Sequence, residues 1–400
     1  MATALTPSSA LARLLDAIEP VGTERIALSD AAGRVLAEPI AADRDSPACD
    51  VSAMDGFAVR SAECAALLPI AGAVAIGAPA PVLPSRSALR IVTGAPIPEG
   101  ADAVLRHEDA LVAGDELRAA RPPKPGDHIR RRGENARAGA PILAVGQRIH
   151  AATTSALPTF GVATPCVRRR VRVAIVTTGD ELDPIEATPQ PWRLRDGNGP
   201  ALATLLAGRA WLAVDAPRGS IDDEARLRAA FAEALDGADA LLVTGGVSMG
   251  ERDLVPAALT GCGVRALFHR LPQRPGKPLW AGVAEGGRPV LALPGNPVSV
   301  LVTARRFALA ALAARAGASP SPQHALSIDD DGKRLPSGGT ARCASSRPDG
   351  ASSSRVAAPA MSQRPPQATA SSRFRRTRVV LDLGPTSSGT DDARGRMMDA

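Results

Sequence analysis

The chain has 400 residues, of which 45% are apolar, 22% charged and only 2% aromatic, with no Tyr; a chain of this size holds several domains and more than one core. No apolar run approaches the roughly 18–20 residues that span a bilayer, and the shortage of aromatic rings counts against a base-stacking binder of RNA or single strands. The net charge of +6 is unevenly placed: residues 332–400 hold 12 Lys/Arg against 5 Asp, so residues 1–331 sum to −1 and no basic nucleic-acid groove is expected.

In chain order, "ALARLLDAIEP" puts Leu11, Leu14, Leu15 and Ile18 on one helical face that Pro20 stops. This is an amphipathic helix and not a signal peptide, so a cytoplasmic location is expected. Ser29 or Asp30 then caps a short helix expected to run through Leu36. Residues 43–60, "DRDSPACDVSAMDGFAVR", read as a loop with a strand starting at "GFAV"; Asp55-Gly56 within it is, by itself, an ordinary turn. Between 51 and 137 short apolar pieces recur between Gly and Pro, the pattern of a small β domain. Arg130, Arg131 and Arg132 are either a solvated face or an anion clamp, because a guanidinium offers forked donors to phosphate.

At residue 171 the pattern changes to alternating strands and helices. "VRVAIVTT", "WLAVDAP" and "ALLVTGG" read as strands, and runs without polar alternation are buried on both faces. Between them, Leu202, Leu205 and Leu206 make one helical stripe and Leu227, Phe231 and Leu235 another. "RALFHRL", "PLWAGV" and "PVLALPG" are further strand candidates, the last opening a helix at Asn296-Pro297 that runs to about Ala316. The order predicts a mostly parallel three-layer α/β domain. In residues 332–400 only 10 of 69 positions are Leu, Ile, Val, Met, Phe or Trp, below the roughly 20% under which chains tend not to fold. That Ser/Arg/Pro-rich segment reads as a disordered tail with one strand candidate, Arg378–Gly384.

Open α/β sheets bind ligands beyond the carboxyl ends of their strands. There lie Asp180 and Glu181, and, in "TGGVSMGERD", Gly245, Gly246, Ser248, Gly250, Glu251 and Asp253. The glycines let backbone N–H groups approach a phosphate. The loop is neither a P-loop nor a dinucleotide fingerprint, which disfavours kinase, ATPase and nicotinamide chemistry. Asp222 and Asp253 have the hard carboxylate oxygens that Mg²⁺ takes; the plainer reading of Asp222 is a helix cap. Arg274 and Lys277 on the stiff "RPGKP" turn suit an oxyanion. Pro294, Gly295, Asn296 and Ser299 form a helix N-terminus that either receives an anion or is simply well capped. Cys49, Cys64, Cys166, Cys262 and Cys343 lie far apart, in no zinc spacing, and read as reduced thiols. With no nucleophile–base pair evident, these residues suggest positioning and electrostatic catalysis on a phosphorylated or otherwise anionic ligand.

The motifs "SAMDGFAV", "VTGAPIPEGADAV", "RRRGEN", "TTGDEL", "RDGNGP", "TGGVSMGERD", "RPGKPLWAG" and "LPGNPVSV" resemble, in order, those of the MoeA family of molybdopterin molybdotransferases, related to the E domain of gephyrin. The resemblance covers about residues 7–317. It implies an elongated homodimer of four-domain subunits: 7–50 with 138–170 as the dimerisation domain, 51–137 as an inserted β domain, 171–317 as the molybdopterin-binding α/β domain, and a β-barrel-like fourth domain. The implied reaction inserts molybdate, a substrate, into adenylylated molybdopterin and releases AMP with Mg²⁺. Implied partners are adenylyl-molybdopterin, molybdate, molybdopterin adenylyltransferase and molybdoenzyme maturation factors, with neither nucleic acid nor membrane among them. By the same resemblance Asp55, Thr93 and Glu181 are catalytic, the first two from the β domain with the partner subunit completing the site. Asp180, Asn198, Gly245, Gly246, Ser248, Gly250, Pro294, Gly295 and Asn296 bind substrate, Arg274, Lys277 and Ser299 hold the molybdate, and Asp222 and Asp253 hold the metal.

Two departures from the family pattern stand out. Asn135 follows "RRRGE" where the family often has an acid, and nothing after about Ile328 resembles the fourth domain. The abrupt change of composition is what a reading-frame shift in a GC-rich gene would produce, a hypothesis that resequencing the codons for 320–340 checks. Two alternatives to the transferase stay open at this point. One is a catalytically weak cofactor-binding scaffold; the other is a molybdopterin adenylyltransferase, against which the "SAMDG" domain speaks.

Overall fold

Helix α1 (Pro7–Asp16) starts at a capping box in which the Ser9 N–H donates to Thr6 Oγ1 and the Thr6 N–H donates to Ser9 Oγ. The computed structural model describes residues 5–247, 254–320, 325–330 and 375–380, and the chain divides into two units, Met1–Pro320 and Ser321–Ala400. α1 buries Ala10 and Leu14 in one core with Leu312 and Ala316, against the α/β domain. The helix expected through Leu36 is a single 3-10 turn, Leu28–Asp30. Beyond it Val35 and Leu36 bridge to Arg148 and Val167, and Leu36 N–H donates to Gln147 O. Long-range pairing with the returning chain outweighs a weak local helix preference.

Short antiparallel pairs join the two halves of the N-terminal region: Thr23–Arg25 with Cys166–Arg168, and Ile40–Ala41 with Pro141–Leu143. Between these halves lies a six-stranded sheet. Its strands are β1 (Gly56–Val59), β2 (Leu68–Ala73), β3 (Ala88–Ile91), β4 (Ala103–Arg106), β5 (Ala110–Ala113) and β6 (Glu116–Ala119), in spatial order β4-β1-β3-β2-β6-β5. Phe57 and Val59 face a core with Leu68, Leu105 and Leu117, while Ala58 faces a second with Leu89, Ile91 and Val104. The small β domain read from the turn signals is present.

Helix α2 (Ala151–Thr159) leads into the α/β domain. Its elements are β7 (Val171–Thr178), α3 (Asn198–Leu206), β8 (Leu212–Val214), β9 (Arg218–Ser220), α4 (Glu224–Gly237), β10 (Ala240–Thr244), α5 (Leu254–Gly261), β11 (Arg265–His269), β12 (Trp280–Ala284), β13 (Arg288–Leu293), α6 (Pro297–Thr303) and α7 (Leu309–Arg315). The sheet order is β8-β7-β10-β13-β12-β11, with β9 also on β7. β8, β9 and β10 run parallel to β7, and β13 parallel to β10; β11 and β12 form an antiparallel edge. Alternate β7 residues enter opposite cores: Val173 and Ile175 meet Leu202 and Leu206 of α3, whereas Ala174 and Val176 meet Leu227 and Phe231 of α4 and Val255 of α5. A strand buried on both faces by helices is the three-layer arrangement that the unbroken apolar runs predicted.

α6 passes through a π turn, Ala304–Ala308, into α7. The composite helix Pro297–Arg315 has 19 residues and is long and apolar enough, by length and composition, to cross a membrane, which corrects the expectation that no segment approaches that length. Its Val300, Ala304, Phe307, Ala308, Ala311 and Leu312 fill the core under the sheet, so its apolar content serves packing. Beneath the sheet, Asp239 accepts from both Arg169 terminal nitrogens (2.6 Å each) and from Arg172 N–H (2.9 Å), tying the linker to the domain.

In the second unit Ala325–Asp330 pairs antiparallel with Arg375–Val380. The strand expected at Arg378–Gly384 thus starts earlier; its remainder, and most of the tail reading, lies outside the described residues. Cys49, Cys64, Cys166 and Cys262 are free thiols, as their spacing suggested.

Candidate active site

The carboxyl ends of β7, β10 and β13 lie side by side and set the crevice. β7 leaves the sheet through Gly179, at φ +149°, into Asp180 and Glu181. Asp222 N–H donates to Asp180 Oδ1 (3.0 Å), which draws the loop before α4 onto the end of β7. Asp222 does not cap α4. Asp223 does, accepting from Arg226 N–H at 2.9 Å. The plainer reading of Asp222 therefore fails, and its carboxylate is left for the crevice. Asp222 Oδ1 is buried and has no hydrogen-bond partner within 3.5 Å among the described residues. Burial first, then the charges of Asp180 and Glu181, push the Asp222 carboxyl above its ordinary range, with the nearby Thr178 hydroxyl pulling the other way.

Two glycines floor the crevice for a steric reason. At Gly245 (φ +95°) a Cβ would lie 2.3 Å from Thr178 O, and at Gly246 (φ +60°) 2.5 Å from Val255 Cγ2. Only Gly fits the turn that closes β10 against the end of β7. Thr178 is buried, 3% exposed, and its hydroxyl lies beside the Asp222 carboxyl and favours its charged form. Gly245 N–H donates to Leu293 O, and a Cβ on Gly295 would lie 3.9 Å from Gly245 Cα, so the "LPGNP" loop adjoins the glycine floor. Asn296 Oδ1 caps α6 by accepting from Val298 and Ser299 N–H (3.1 and 3.2 Å), which places Ser299 in the first turn. Asn198 Nδ2 donates to Gly295 O (2.8 Å), and Asn198 Oδ1 is buried without a partner. Buried polar atoms are nearly always paired, so the Asn198 and Asp222 oxygens, without a partner within 3.5 Å among the described residues, suit a hydrogen-bond donor or a cation.

The "RPGKP" turn packs on the far end of α6. A Cβ on Gly276 (φ +98°) would lie 2.3 Å from Thr303 Cγ2, and Thr303 Oγ1 donates to Ser299 O at 2.7 Å. Gln273 Nε2 closes the turn on Gly276 O (3.1 Å). Arg274 and Lys277 are exposed and make no ion pair among the described residues. The turn thus presents two uncommitted cations one helical turn from Ser299.

In the β domain the structure joins Asp55 and Thr93. Thr93 N–H and its hydroxyl both donate to Asp55 Oδ1 (2.7 and 2.8 Å), holding the Asp55 carboxyl below its ordinary range. Among the described residues no hydrogen bond or ion pair links residues 51–137 to the α/β domain. The pair is assembled without a hydrogen bond or ion pair to the crevice acids of its own chain among the described residues. Arg130, Arg131 and Arg132 lie on a solvated face, their side chains 42%, 61% and 68% exposed, and are no free anion clamp: they bind Glu134 and Asn135, Asp50, and Asp45 respectively. The partners of Arg131 and Arg132 lie 81 and 87 residues away, on the loop at 45–50.

Ser248, Gly250, Glu251 and Asp253 lie outside the described residues. Among the described residues no three His, Cys, Asp or Glu side chains gather as a metal site. Thr178 escaped the sequence reading although it sits inside "TTGDEL"; its position at the end of a buried strand is the signal that points to it.

A mostly parallel α/β sheet with acids, glycine turns and exposed cations gathered at its carboxyl edge has the place and the polar groups of a ligand-binding crevice. Residues 5–161 match the model of the MoeA N-terminal region (domain I and II), and residues 174–314 that of a probable molybdopterin binding domain. Molybdopterin molybdenumtransferase of Synechococcus elongatus is 38% identical over 318 residues, covering 76% of this chain and 78% of the relative. The Haemophilus influenzae protein of the same name is 36% identical, covering 75% and 74%. The crystal structure of the molybdopterin biosynthesis moeA protein from Pyrococcus horikoshii superposes with a TM-score of 0.68 at 28% identity, covering 82% and 83%. The chain belongs to the MoeA family, a family of transferases of molybdenum cofactor biosynthesis.

Proposed function

We propose that this protein inserts molybdate into adenylylated molybdopterin and releases AMP, acting as a cytoplasmic homodimer. The observation that supports this reading best is the juxtaposition, at one sheet edge, of buried oxygens without a partner among the described residues (Asn198, Asp222) and exposed cations in no ion pair there (Arg274, Lys277). Molybdate is a tetrahedral dianion; the guanidinium of Arg274, the ammonium of Lys277 and the hydroxyl of Ser299 are donors suited to it. The Gly245–Gly246 turn, which carries no side chains, lets the pyrophosphate approach the backbone closely. Glu181 orients the water that cleaves the phosphoanhydride, which frees AMP. Asp55, with Thr93, completes the site from the partner subunit, since it makes no link to the crevice of its own chain.

The donor set fits Mg²⁺. The cation takes one or two carboxylates and fills its shell with water and substrate phosphate, and Asp222 offers a buried oxygen with no partner within 3.5 Å among the described residues. Asp222 and Asp253 would hold it. When bound, Mg²⁺ neutralises charge on the pyrophosphate. Without it, Asp222 faces Asp180 and Glu181 as an uncompensated third acid. Molybdopterin adenylyltransferase and molybdoenzyme maturation factors are the proposed partners on either side of the reaction.

The test supplies purified protein with adenylyl-molybdopterin, molybdate and Mg²⁺, and measures AMP and active cofactor. AMP release that depends on molybdate supports the reading. Pterin binding without AMP makes the protein a scaffold, and consumption of ATP with plain molybdopterin makes it an adenylyltransferase.

A further inference from the structure

Asp180 and Glu181 are carried on an excursion that leaves β7 at Gly179 and returns at Asp196. No residue from 180 to 196 is buried, and its large apolar side chains Ile185, Trp192 and Leu194 are 55%, 74% and 59% exposed. Apolar packing therefore does not hold the acids in place. Polar contacts do. Leu182–Asp183 pairs in parallel with Leu194–Arg195, and Leu194 N–H donates to Glu181 O at 2.7 Å. The Arg193 guanidinium lies across the base of the excursion. Its Nε donates to Asp183 Oδ1 (2.7 Å), Nη1 to Asp180 O (2.8 Å) and Nη2 to Leu182 O (3.1 Å).

One rigid fork thus grips the main-chain carbonyls of the residues on either side of Glu181, Asp180 and Leu182. The peptide before Glu181 cannot rotate without breaking a charge-assisted hydrogen bond, and the peptide after it is held by the Leu194 N–H on Glu181 O, next to the Leu182–Asp183 peptide that the fork holds. The same fork acts on a second acid, because Asp180, whose carbonyl it holds, accepts from Asp222 N–H. We propose that Arg193 is the positioning residue of this site, fixing the backbone on both sides of Glu181 and thereby aiming the Asp180 and Glu181 carboxylates into the crevice. It acts through the loop and touches neither substrate nor metal. The inference deepens the proposed function and rests on Glu181 being a reacting carboxylate. A lysine is no substitute, since a point charge cannot span three acceptors in the geometry of the fork.

The test uses the full chain with Arg193→Ala and Arg193→Lys. Arg193→Ala is expected to lower kcat for AMP release about 10- to 100-fold and to leave KM for molybdate within about twofold, because Arg274, Lys277 and Ser299 lie on other elements. Guanidinium ion at millimolar concentration restores part of that loss, does nothing for the unsubstituted protein, and restores more than Arg193→Lys does. Hydrogen exchange of the Leu194 and Asp222 amides, which bond to Glu181 O and Asp180 Oδ1, quickens in Arg193→Ala while exchange in β7 and β10 holds. A kcat within about twofold of the unsubstituted protein overturns the proposal; so does a loss accompanied by faster exchange throughout β7 and β10. If the unsubstituted protein releases no AMP, the proposed function fails on its own, and exchange still decides the clamp: faster at Leu194 and Asp222 supports it, unchanged overturns it.

Discussion

The two acidic sites of this chain are opposites. At Asp55 every demand of the carboxylate is met locally: two donors from Thr93 reach one oxygen, the group is exposed, and its pKa falls. At Asp222 burial and two neighbouring acids work against the charge, one oxygen has no partner among the described residues, and the pKa rises. The first carboxylate is held charged and oriented by its donors. The second is held by the surrounding fold against burial and like charge, and a cation is what would compensate it.

The contrast can be broken most severely at the crevice. Glu181→Gln, Asp222→Asn and Asp253→Asn should each lower AMP release by about 10²- to 10⁴-fold, read by AMP quantification, with circular dichroism unchanged. Full activity in Glu181→Gln and Asp253→Asn together would remove the assignment of the crevice acids. Next in size is Gly245→Ala, which adds a Cβ 2.3 Å from Thr178 O at a positive φ. It should cost about 1–3 kcal/mol in a urea titration and weaken pterin binding as the floor shifts.

Asp55→Asn and Thr93→Val should reduce AMP release by about tenfold with the fold retained, read by circular dichroism, since the pair is exposed. Mixing Asp55→Asn subunits with Glu181→Gln subunits sharpens the comparison further. If the site is shared across a dimer, random exchange should restore about a quarter of full activity; no restoration would mean that Asp55 does not act across subunits.

The smallest effect concerns pH. Asp222 has a folded pKa above the unfolded 3.8, so folding is favoured most below 3.8 and stability is lost as pH rises through the raised pKa. Asp55 has a folded pKa below 3.8, so its contribution is present above 3.8 and is lost as pH falls through the lowered value. Asp222→Asn should therefore gain in melting temperature over the unsubstituted protein as pH rises from 3.8, and Asp55→Asn should lose. Melting curves between pH 3 and pH 7 check both signs.

Much of this was legible from residue order, because the relevant physics is local. A run such as Val171–Thr178 without polar alternation can only be a strand covered on both faces, and it is. Asn296-Pro297 announces a helix start whose cap is formed by the next turn, and Asn296 makes it. Gly245, Gly246 and Gly295 mark the turns at strand ends that floor the crevice, and the motif order identified the family. What only the tertiary structure decided involves partners distant in the chain. Whether Asp222 or its neighbour caps α4 depends on the loop from β7, 42 residues away. The arginines at 130–132 are spent on Asp45, Asp50 and Glu134. The apolar run at 297–315 lies under a sheet, and Arg193 carries no signal in the sequence because its targets include two main-chain carbonyls. Residue types and their local spacing determined which groups are available for chemistry. Which of them remain unpaired, and therefore able to act on a ligand, was settled by long-range hydrogen bonding and burial, which no local pattern encodes.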